Sequence, residues 1–75
     1  LEVVDLKNRI RELRELKNLK QDELASKVNV SRQTIISLEK GKYNPSILLA
    51  HDIAKVFKLA IEEVFIFEEE QNEQE

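Results

Sequence analysis

The stretch VSRQTIISLEKG, residues 30–41, crowds polar side chains into one turn. Arg32 and Gln33 each carry a planar group that makes two hydrogen bonds at once. Arg matches the O6/N7 edge of guanine and Gln the N6/N7 edge of adenine. Thr34 is short enough to reach a phosphate or a thymine methyl, and Ser37 lies one turn on. Ser31 is a good N-cap and Gly41 a good stop, so the spacing predicts a helix over 31–40. Ile35 and Leu38 are its core residues, which leaves Arg32, Gln33 and Thr34 pointing elsewhere.

Other chemistries find little material. The chain has no cysteine, which removes disulfides and thiolate metal sites, and His51 is its only histidine. Without a second ligand, or a nucleophile for it to activate, His51 supports neither a metal centre nor a catalytic base. No metal, no cofactor, no small-molecule ligand and no enzymatic activity are expected.

The chain has 75 residues, enough for one small domain, with one Gly and one Pro against abundant helix formers. These proportions predict an all-α fold. No apolar run approaches the roughly 20 residues of a membrane span, so a soluble, cytoplasmic protein is expected. Net charge is −3, which by itself argues against a polyanion partner. Its distribution reverses that inference. Residues 7–58 hold all 12 basic residues and six acidic ones, a segment of +6, while residues 61–75 hold seven acids and no base. A basic body followed by an acidic end is compatible with nucleic acid.

The elements that must hold the polar turn in place can be read from apolar spacing. Leu6, Ile10, Leu13 and either Leu16 or Lys17 form a stripe over a helix from 6 to 17, with Asp5 as its N-cap. Asn18 ends it in the left-handed region. A second helix runs from about Gln21 to Lys27, with Leu24, Ala25 and Val28 inward, and Asn29 takes the next positive-φ position. A break at 41–46 follows. Either Asn44, with Pro45 at the first helical position, or Ser46 caps a fourth helix that reaches Phe57, its stripe being Ile47, Ala50, Ile53, Ala54 and Phe57. A short fifth helix covers Ile61 to Val64. Phe65, Ile66 and Phe67 extend it or form a strand. The chain divides into an arm (1–5), a domain (6–65) and an apolar, then acidic, tail (66–75) that is expected to be disordered.

Two short helices joined by a tight turn make a helix-turn-helix, whose second helix enters the DNA major groove. From Leu6 to Phe65 the chain resembles the phage repressor and Cro-like, or XRE-type, family of transcriptional regulators. The matching stretches are IRELRELKNLKQDELASKVNVSRQTIISLEKGKYNPS and IAKVF…IEEVF. The resemblance implies a compact bundle of five helices. It places Arg32, Gln33, Ile36 and Ser37 at base-reading positions, with Gln21, Lys40 and Lys42 at phosphate beside Thr34, whose own chemistry suits that contact, and it implies an Arg14–Glu39 pair tying the first helix to the third. The chain departs from the family pattern at Lys20, where Ser or Thr would cap the second helix, a loss of about 1 kcal/mol. It departs also at Lys58, a common Gly position, at Ala60, a common Ser cap, and at Leu48, where a polar residue is usual.

The apolar ends have little of a small domain left to cover. Phe65 is expected in the core; it and Leu1, Val3, Ile66 and Phe67 are expected to pack in a homodimer, with short terminal strands possible. Such a dimer would set two recognition helices about one DNA turn, roughly 34 Å, apart on a short palindrome. The expectation is a dimeric, sequence-specific regulator of double-stranded DNA, most often a repressor in this family. The rival reading is a protein-interaction module such as an antitoxin-like partner.

Overall fold

The structure, a computed structural model, describes residues 6–67 and contains five helices among them: α1 (Ile10–Leu16), α2 (Gln21–Lys27), α3 (Arg32–Glu39), α4 (Ile47–Phe57) and α5 (Ile61–Val64). The fold is all-α. Its core is one apolar cluster to which every helix contributes, from Ile10 and Leu13 on α1 through Leu24, Ile35, Leu38 and Ile53 to Val64 and Phe65.

The turns between the helices rest on a few left-handed residues. Asn18, Asn29 and Lys58 have φ of 56°, 60° and 59°, and Gly41 has φ of 75°. Asn tolerates this region through its short polar side chain, whereas Lys58 adopts it at a cost. The two weak helix starts are compensated from inside. Lys20 has no side-chain acceptor, but the Glu23 carboxylate accepts its backbone N–H at 2.8 Å. Glu63 does the same for Ala60, also at 2.8 Å. Ser31 and Ser46 cap α3 and α4 conventionally, accepting from the N–H groups of Thr34 and Leu49. That settles the start of α4 in favour of Ser46, with Pro45 outside the helix.

The structure corrects four expectations. First, α1 begins at Ile10, not at Leu6, because the preceding residues have other partners. The Leu6 N–H donates to the Gly41 carbonyl at 3.0 Å and the Arg9 N–H to Val64 at 2.8 Å. Asn8 donates to the Leu38 carbonyl at 2.8 Å, while its own side-chain oxygen accepts from the Ile10 N–H at 3.1 Å. Second, among the described residues the strand-like pairing is one antiparallel bridge between Asn8 and Phe65. Third, Leu16 and Ile47 lie outside the core, each 72% exposed, and Leu49 takes the inward position on α4. Fourth, Phe65, expected at a dimer interface, is 1% exposed and belongs to the core of its own chain. Of the remaining expected interface residues, Ile66 and Phe67 are exposed, while Leu1 and Val3, like Asp5 and most of the acidic tail, lie outside the described residues.

Candidate nucleic-acid interface

α2 and α3 pack directly against one another through Leu24, Ala25, Ile35 and Leu38, all buried. Only two residues, Asn29 in the left-handed region and Val30, separate the end of α2 at Val28 from the cap Ser31. With Ile35 and Leu38 committed to the core, the outer face of α3 must carry Arg32 and Gln33, both exposed, and Ile36 and Ser37, both half-buried. Thr34 is held at the helix start, its hydroxyl 3.0 Å from that of Ser31.

One polar network sets the orientation of α3. Arg14 on α1 meets the Glu39 carboxylate with two donors, Nε at 2.7 Å and Nη2 at 3.3 Å. Its third contact is the Leu19 carbonyl, at 2.9 Å, in the turn between α1 and α2. Gln21, the first residue of α2, donates to the same Glu39 carboxylate at 3.2 Å. The side chains of Arg14 and Glu39 are only 11% and 7% exposed. The hydrogen bond it donates to Glu39 holds the Arg14 guanidinium above its ordinary range, against the opposing effect of burial. A bidentate pair fixes angle as well as distance, so the three helices are locked at the edge from which Arg32 projects.

Above this network lies a cleft of about 620 Å³ bounded by three helices. Arg11, Arg14 and Glu15 line it from α1, Lys20, Gln21 and Asp22 from the start of α2, and Arg32, Ile36, Glu39 and Lys40 from α3 and its end. Four of the residues singled out in the sequence as DNA contacts, Gln21, Arg32, Ile36 and Lys40, therefore share one concave surface with the Arg14–Glu39 pair. Gln33, Thr34, Ser37 and Lys42 are not in its wall. Lys42 follows Gly41 in the turn that ends α3, where its N–H donates to the Ser37 carbonyl at 3.0 Å. Arg11 lines the cleft although sequence reasoning did not single it out. Its signal was present, since it stands three positions before Arg14 and so on a neighbouring face of the same helix. His51 is exposed on α4 and does not line this cleft, and no cluster of three metal-ligating side chains occurs among the described residues.

A second, apolar cleft of about 350 Å³ is lined by Leu6, Pro45, Ile47, Ile61, Phe65 and Phe67 among others. No described helix is long and apolar enough to cross a membrane.

A two-helix unit with an exposed polar second helix, braced by a third, defines a helix-turn-helix domain. Residues 10–64 match the helix-turn-helix family. The chain belongs to this XRE-type family of DNA-binding transcriptional regulators, which are not enzymes. It is 54% identical over 66 residues to an uncharacterized HTH-type transcriptional regulator of Archaeoglobus fulgidus, covering 88% of this chain and 93% of the other. It is 46% identical over 65 residues to the uncharacterized HTH-type regulator YgzD of Bacillus subtilis, covering 87% and 98%. Among solved structures it resembles the restriction-modification controller protein C.AhdI of Aeromonas hydrophila, with a TM-score of 0.68, 31% identity, and coverage of 73% of this chain and 83% of that one.

Proposed function

We propose that this chain is a sequence-specific regulator, acting as a dimeric repressor, that reads a short palindrome in double-stranded DNA through α3. The observation that carries the reading is the pairing of roles along α3. Its inner residues are locked in the core and to Arg14, while Arg32 and Gln33 stand exposed on its first turn. Helix-turn-helix recognition helices contact base edges from this end. Arg32 and Gln33 supply bidentate donors and acceptors, Ser37 a hydroxyl one turn on, and Ile36 an apolar surface for a thymine methyl. Gln21, Thr34, Lys40 and Lys42 contact phosphate and fix the register.

Dimerisation uses the apolar surface near the chain ends. Phe67 is 59% exposed and Ile66 42%, and Ile47, 72% exposed, borders the same cleft as Phe67. Leu1 and Val3 join this surface in the proposal. Phe65 does not, because it is already buried.

In vitro selection from random duplex DNA at about 0.15 M salt, where non-specific binding is held down, tests this reading. The expected product is an enriched palindrome that the Arg32→Ala, Gln33→Ala double variant fails to enrich. A single enriched half-site contradicts the dimer. No enrichment, or equal enrichment by the variant, contradicts the regulator reading.

A further inference from the structure

We propose that Asn8 is a positioning residue for operator recognition: it fastens the end of α3 to the segment that leads into the dimer surface, and so fixes the half-site spacing that the dimer accepts. This deepens the proposed function and rests on it, with α3 as the recognition helix and the surface around Phe67 as the interface.

The segment Leu6–Arg9 runs between these two parts. On one side is the end of α3. There the Gly41 N–H donates to the Leu38 carbonyl at 2.9 Å and the Lys42 N–H to Ser37 at 3.0 Å, the usual way a glycine closes a helix. The Asn8 side chain gives the Leu38 carbonyl a second donor, at 2.8 Å. The Leu6 N–H donates to the Gly41 carbonyl at 3.0 Å. On the other side is the C-terminal segment. The Arg9 N–H donates to the Val64 carbonyl and the Ile66 N–H to the Lys7 carbonyl, both at 2.8 Å, flanking the Asn8–Phe65 bridge. Phe67 follows directly and shares the apolar cleft with Leu6.

The Asn8 side chain is fully engaged in this join. Its amide also donates to the Leu6 carbonyl at 3.1 Å, and its oxygen accepts the Ile10 N–H at 3.1 Å. A carbonyl in the last turn of a helix moves with the helix. Asn8 on Leu38 and Leu6 on Gly41 therefore carry a displacement of the C-terminal segment to α3. In a dimer, two such joins stand in series between the two recognition helices. Neighbouring base pairs are about 3.4 Å apart along the axis and turned by about 35°. A half-site moved by one pair demands that shift and turn between the two helices. A stiff join resists it and a loosened one yields.

The test is fluorescence anisotropy on three duplexes: the selected operator, and versions with one base pair added or removed between the half-sites. Wild type is compared with Asn8→Ser, Asn8→Asp and Ser46→Ala. Ser keeps an acceptor for the Ile10 N–H but is one bond too short for Leu38. Asp keeps length and acceptor and gives up the donors. Ser46→Ala removes the cap that accepts the Leu49 N–H, far from the join in sequence, and controls for lost stability alone. Wild type is expected to bind the altered spacings at least about five-fold more weakly than the operator, the lower end of usual coupling between sites. Both Asn8 variants should bring that ratio towards one and keep the wild-type base preferences within each half-site. Ser46→Ala should lower the melting temperature and leave the ratio as it is. A ratio unchanged in a folded Asn8 variant, or narrowed equally by Ser46→Ala, overturns the assignment alone. So does a wild-type chain indifferent to spacing, or loss of fold in both Asn8 variants by circular dichroism, since Asn8 then serves stability only. A wild-type chain that enriches no palindrome overturns the assignment together with the reading beneath it.

Discussion

Glu39 connects three helices through one carboxylate, taking two donors from Arg14 and one from Gln21. Truncation leaves a nearly buried guanidinium without its anion, the costly way to break such a pair. Glu39→Ala is expected to lower unfolding free energy by about 3 kcal/mol in urea titration. Arg14→Met with Glu39→Leu should cost distinctly less, since neither charge is then stranded. A double variant as unstable as the single one contradicts the account. The raised Arg14 pKa has a definite sign for pH dependence. Its contribution is complete below the ordinary guanidinium range and is lost only as pH rises past the raised value, so the cation is in place throughout the neutral range. At this scale the sequence was informative where chemistry is local. Arg32 and Gln33 stood out by residue type. Arg11 did not, because its place in a cleft depends on how α1 lies against α2 and α3.

The helices show what apolar spacing can and cannot say. All five were legible, and the left-handed positions at Asn18 and Asn29 followed from residue type. The start of α1 was not, because Leu6–Arg9 are held by the Gly41 and Val64 carbonyls, partners 35 and more residues away. Ile47 fits the α4 stripe by spacing, yet it lies in the first turn, beyond the edge of the core, and Leu49 fills the inward place. Lys20 and Ala60 looked like lost caps, and the Glu three residues after each restores part of the loss. Lys58 has no such relief. As a left-handed non-glycine residue it costs about 1–2 kcal/mol, partly offset by the extra freedom glycine would have when unfolded. Lys58→Gly is therefore expected to stabilise the fold by roughly 0.5–1 kcal/mol, seen as a higher urea midpoint with an unchanged slope. A lower midpoint contradicts the strain assigned to this residue.

As a whole molecule, the chain separates a polar, net-basic cleft at α3 from an apolar one lined by Leu6, Ile47 and Phe67. A net charge of −3 concealed the first, and only the division of charge along the sequence revealed it. The dimer surface was half legible. Unassigned apolar ends were visible, and Phe65 was legible as a core residue, but its simultaneous assignment to an interface was corrected only by its burial within its own chain. Phe67→Lys should convert a dimer into a monomer by sedimentation equilibrium. The monomer fold should change by no more than about 0.5 kcal/mol, because Phe67 is largely exposed. A wild-type chain that sediments as a monomer contradicts this surface. The central claim is that α3 reads bases, and one comparison tests it most directly: binding of wild type and Gln33→Ala to the selected operator and to every single-base variant of one half-site. The account predicts that wild type loses about 1–3 kcal/mol at the base pair Gln33 reads, and that Gln33→Ala no longer distinguishes bases there while keeping its preferences elsewhere. Uniform weakening of Gln33→Ala across all sites, with every base preference intact, would contradict it.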